Sequence, residues 1–175
     1  MRLWTKRCDG EVHPQAGVLT YGIGTRPMLM QRPREEIEAS LAAIPDPARR
    51  AARRSVIDHG VKAPEMEGAL RAFVTMLDGM ESSLAAGDYL AGPDWSLADA
   101  SLLPYVLRLD HLAMTPLIEA RERVAAWYAR MRARDSYAVA VEAFVPEPLV
   151  ANFRAQGEAV WKDVEALVDG LGRAR

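Results

Sequence analysis

Apolar residues recur at steps of three and four along much of the chain, the spacing that gathers side chains on one face of an α-helix. Met66, Leu70, Phe73, Leu77, Met80 and Leu84 form the clearest run, with Pro64 suited to its first turn and Gly87 to its end. Leu149, Phe153, Val160, Val164, Leu167 and Leu171 define a second long helix over 148–170. Val124, Trp127, Tyr128 and Met131 mark a third that starts soon after Pro116, and Leu102, Leu103, Val106 and Leu107 a fourth that starts at Ser96. Shorter helices are expected over 34–43 and 47–59, separated by Pro45-Asp46-Pro47.

Residues 18–25 and 138–145 alternate apolar with small or polar residues, as a strand does. Isolated strands leave backbone groups unpaired, and no hairpin signal joins these two. Helix is therefore expected for both, with Pro14, Gly22 and Gly24 as kink points. No internal repeat or linker divides the chain. The pattern predicts an all-α fold, a bundle of about seven or eight helices.

Composition agrees. The chain has 175 residues, enough for one domain with a substantial core, and its 29 alanines favour helix. The formal charge of −2 argues against nucleic acid as a partner. Apolar stretches are too short to cross a bilayer, and residues 1–7 lack the uncharged segment of a signal peptide, so no membrane association is expected. A lone cysteine, Cys8, excludes an intramolecular disulfide and fits a cytoplasmic location.

Candidate chemistry is sparse. His13, His59 and His111 lie far apart, so no metal site is expected. Gly22-Ile23-Gly24 lacks the third glycine of a dinucleotide loop, because position 27 is proline. Arg49, Arg50, Arg53 and Arg54 cluster on a short helix, and Glu35, Glu36 and Glu38 just upstream suit a solvated, ion-paired surface. Cys8 sits one helical turn from Trp4, as a small buried residue would. Trp4, Trp161, Met28 and Met30 are expected to serve mainly in core packing. Ser96 and Asp99 are three apart at the opening of an apolar run, which predicts a reciprocal helix cap rather than a catalytic pair.

Asp88-Tyr89-Leu90-Ala91-Gly92, followed by Trp95-Ser96-Leu97-Ala98-Asp99-Ala100 and Pro104-Tyr105, resembles the C-terminal all-α domain of the glutathione S-transferase family. Arg123 to Met131 is similar to the helix that follows the capping motif there, and Met1-Arg2-Leu3-Trp4 with Val12-His13 to the domain's long first helix. The resemblance covers roughly 1–145 and implies a single domain over 1–175, with 146–175 as a C-terminal extension helix. It implies a hydrophobic-electrophile site between this domain and a second one, drawing on the first helix, the capped helix and often the C-terminal tail, where Trp4, Cys8 and Arg108 are the candidates. Glutathione is implied as co-substrate, bound not by this chain alone but by a thioredoxin-like domain that residues 1–33 do not resemble. Met1 is expected to fall within the first helix. The resemblance also implies a homodimer or a thioredoxin-like partner domain, with an apolar face around Trp4 left for the partner to cover. No residue matches the family's thiol-activating motif, so the chain alone is expected to be inactive. The competing expectation is a non-catalytic helical module that binds a hydrophobic small molecule or a protein.

Overall fold

Two prolines shape the first element. In the computed structural model, which describes residues 2–173, Arg2–Arg7, His13–Leu19 and Arg26–Leu29 are α-helical. They are joined by π-helical turns at Cys8–Val12 and Thr20–Thr25, giving one interrupted helix over 2–29, here α1. Pro14 and Pro27 stand just after these turns. A proline ring clashes with the carbonyl four residues earlier and has no N–H to give it; the wider π turn accommodates both problems. The kinks expected at Pro14 and the glycines thus take the form of widened turns. The expected placement of Met1 lies outside the described residues.

The remaining helices are α2 (Arg34–Ala42), α3 (Pro47–His59), α4 (Glu65–Ser83), α5 (Leu97–His111), α6 (Thr115–Glu119), α7 (Glu122–Arg132), α8 (Asp135–Ala140) and α9 (Glu147–Arg173). The fold is all-α. Among the described residues the single backbone bridge joins Tyr89 and Gly92 across the tight turn before α5. The alternating stretch after residue 138 is a short helix and a 3₁₀ turn, Glu142–Phe144.

α4 is the centre of the bundle. Its Met66, Leu70, Phe73, Leu77 and Met80 are fully buried, and α1, α3, α7 and α9 pack around it. One apolar cluster runs from Trp4 to Leu171. Trp4 is buried within the chain, its ring edge against Gly79 of α4, so the uncovered apolar face expected around it is closed from inside. Met28 and Met30 are exposed, contrary to the expected core role: they end α1 where it leaves the bundle.

α9 folds back across the second π turn of α1 and across α4 and α5. Phe153, Val164 and Leu171 are buried along it; Leu149 stays 38% exposed because the helix closes on the bundle only from Phe153 onward. Gly157 makes the crossing possible. A Cβ there would stand 1.7 Å from the Leu112 carbonyl oxygen, and one on Gly24 would press on Leu112 and Phe153. The arginine cluster on α3 is spent locally: Arg50 donates to the Ile44 carbonyl, Arg53 stacks on the Tyr21 ring, and Arg54 pairs with Glu38. No described helix is long and apolar enough to cross a membrane.

Candidate ligand-binding site

Asp99 organises the start of α5. Its carboxylate is fully buried and accepts from the Leu90 N–H (2.9 Å), the Ser96 N–H (2.9 Å) and hydroxyl (2.8 Å), and the Trp127 indole N–H (2.9 Å). The reciprocal Ser96–Asp99 cap is present, and the Ser96 hydroxyl oxygen also accepts from the Ala98 N–H. Asp99 therefore does more than close a cap: it ties the Tyr89–Gly92 turn, α5 and α7 together. A buried carboxylate is tolerated only with such saturation.

Of the three candidate site residues, the structure brings Trp4 and Cys8 together. The Cys8 thiol donates to the Ser101 carbonyl at 3.3 Å and also touches the Tyr105 hydroxyl, which meets His13 Nδ1 at 3.0 Å. Burial pushes the Cys8 thiol up, and burial with the Cys8 contact pushes the Tyr105 phenol up. Both are protonated at neutral pH, so Cys8 is a poor nucleophile. The cavity beside Trp4 and Cys8 holds only about 10 Å³, at the lower limit for one water. Arg108 does not line it. It lies further along α5 with its guanidinium 5.2 Å from the Phe153 ring centre, and burial lowers its pKa.

A larger opening lies at the other end of α5. Asp110 is buried and takes a hydrogen bond from the Tyr128 hydroxyl (2.7 Å) and another from Arg154 of α9 (2.7 Å), with Arg132 of α7 at 3.8 Å. Burial, then Asp110, raises the Tyr128 phenol. His111 beside it is held low by burial and by Arg108. Between α5, α7, α8 and α9 these groups border a cleft of about 210 Å³. The sequence reading missed Asp110. Its signal was a charged residue in register with Leu103, Val106 and Leu107, on the face that α5 buries. No group of described histidines, cysteines or carboxylates is arranged to hold a metal ion.

The helical bundle, with its capped α5 tied to α7, defines an all-α domain. Residues 63–130, which span α4 to α7, match the family model described as the glutathione S-transferase C-terminal domain. Over those residues the chain is similar to the all-α C-terminal domain of glutathione S-transferases. It is 32% identical over 93 residues to the tetrachloro-p-hydroquinone reductive dehalogenase of Sphingobium chlorophenolicum, covering 51% of this chain and 38% of that protein. It is 37% identical over 75 residues to the glutathione S-transferase TCHQD of Arabidopsis thaliana, covering 40% of this chain and 28% of the relative. The matched segment is well under half the length of either relative. No solved structure matches.

Proposed function

We propose that the chain is the hydrophobic-electrophile-binding and dimerisation half of a glutathione S-transferase-like protein. In this reading glutathione is the co-substrate, and its thiolate adds to or substitutes at an electrophilic carbon. The carrying observation is the family match over 63–130, which contains the Asp99 junction. Thiolate attack needs a stabilised anion and a dry site. The first falls to a thioredoxin-like domain, since Cys8 and Tyr105 are pushed toward their protonated forms. The name of the Sphingobium relative points to a chlorinated aromatic ring as the substrate class. A cytoplasmic location completes the reading, supported by the single free thiol.

The test is conjugation of glutathione to a chlorinated aromatic electrophile, with and without an added thioredoxin-like domain, alongside light scattering for the dimer. The chain alone should give no rate above background and the pair a measurable one. A robust rate from the chain alone, abolished by a substitution within it, overturns the reading.

One observation favours a second reading, a non-catalytic module that binds a hydrophobic small molecule or a protein. The cavity at Trp4 and Cys8 has room for no more than one water, whereas the cleft beside Asp110 is larger and more open. Binding of a ligand with no conjugation under any pairing would support it.

A further inference from the structure

We propose that the cleft beside Asp110 binds a small organic monoanion, a carboxylate on a compact apolar body, held by Arg132 and Arg154. This site is separate from the Trp4–Cys8 face and does not depend on the conjugation reading.

The surplus of guanidinium donors around Asp110 carries the argument. Two guanidiniums, one from α7 and one from α9, converge on the single carboxylate of Asp110, so more N–H donors meet there than Asp110 can accept. Each guanidinium has five N–H donors in a planar fork suited to carboxylates. Arg154 gives one nitrogen to Asp110 at 2.7 Å, and Arg132 contacts the Tyr137 hydroxyl while standing 3.8 Å from Asp110. Both side chains are about half exposed, so their remaining donors are open to an incoming anion. Asp110 holds the pair in place, and is itself anchored by Tyr128.

The walls select what the anion is attached to. Leu107, Val141, Val145 and Val150 give the cleft an apolar side, and its volume of about 210 Å³ suits one or two fused rings or a short branched chain. Glu142 and Glu147 stand exposed at the mouth. Their charge opposes any anion and a polyanion most, which rules against nucleic acid or a polyphosphate and leaves room only for a single charge seated on the arginines.

The experiment is calorimetric titration of the full chain with 1-naphthoate, with the neutral 1-naphthamide as its matched control. Naphthoate should bind at least about tenfold tighter than the amide, the scale of one charge-assisted hydrogen bond, and its affinity should fall as salt rises. Arg132→Gln should remove that preference while leaving the amide's affinity unchanged. Val150→Trp, which fills the cleft and leaves the arginines in place, should abolish binding of both. Thermal melting of each variant checks that it remains folded. Equal affinity for naphthoate and naphthamide, full naphthoate binding by folded Val150→Trp, or no binding of either probe to the unaltered chain overturns the proposal.

Discussion

The indole N–H of Trp127 donates to Asp99 Oδ1 at 2.9 Å, joining the first turn of α5 to the middle of α7 in a region where both residues are fully buried. The same oxygen accepts the Leu90 N–H, and the other oxygen serves Ser96. One carboxylate therefore fixes a turn and two helices.

Asp99→Ala should accordingly cost more than loss of a cap. Ser96→Ala removes capping contacts and should destabilise by about 0.5–2 kcal/mol. Asp99→Ala strands the buried Leu90 and Trp127 donors as well, at about 1–3 kcal/mol for each unsatisfied group. Urea midpoints for the two variants provide the comparison, and equal losses would show that Trp127 and Leu90 gain little from Asp99.

Gly157→Ala should dislodge α9. The added Cβ meets backbone, the Leu112 carbonyl, which cannot rotate aside as a side chain does. Overpacking typically costs about 1–3 kcal/mol, and a clash this close belongs at or above the top of that range. Gly170 lies in the same helix with open space around its Cβ position, so Gly170→Ala should stabilise by about 0.5–1 kcal/mol. Thermal melting should move in opposite directions for the two variants.

Stability should fall on the alkaline side. Cys8, Tyr105, Tyr128 and Tyr137 all have folded pKa values raised, chiefly by burial. Each stays protonated in the folded chain while the unfolded chain releases its proton above about pH 8.5 for the thiol and pH 10 for the phenols. The unfolded state then binds fewer protons, so unfolding becomes easier as pH rises through those values. Denaturation midpoints at pH 8 and pH 10.5 measure the drop, and Tyr128→Phe should make it shallower. His111 acts at the other end: its pKa is lowered, so its contribution is present above about pH 6.5 and is lost as pH falls.

Cys8 should resist alkylation until the chain unfolds. The residue is 3% exposed and its thiol is pushed up by burial, so both access and thiolate fraction are low. Iodoacetamide labelling followed by mass spectrometry, at increasing urea, should track global unfolding. Fast labelling in native buffer would mean that the π turn carrying Cys8 opens on its own.

The helices themselves were legible in the sequence because their signals are local. The Met66–Leu84 stripe follows from the 3.6-residue period, and those residues are buried along α4 and, for Leu84, in the 3₁₀ turn just after it. Ser96 and Asp99 three apart announced the start of α5, since a cap is satisfied within one turn. Pro14 signalled a break in the first helix, though only the structure showed that π turns absorb it. The most specific part of the family resemblance, 88–105, is the segment that holds Leu90, Ser96 and Asp99 of the buried network.

Tertiary structure decided whatever depends on partners distant in sequence. Trp127 lies 28 residues from Asp99 and Arg154 lies 44 from Asp110, and no local pattern links either pair. Trp4 looked like a candidate for an open face, yet Gly79 leaves the space that buries its ring. Trp4 and Cys8 were correctly read as neighbours on one helix face, but the small size of their cavity depends on α4 and α5 packing against them. Periodicity tells which face of a helix is buried. Which surface meets it, and whether a gap remains between them, is set by the volumes of side chains brought together from several helices.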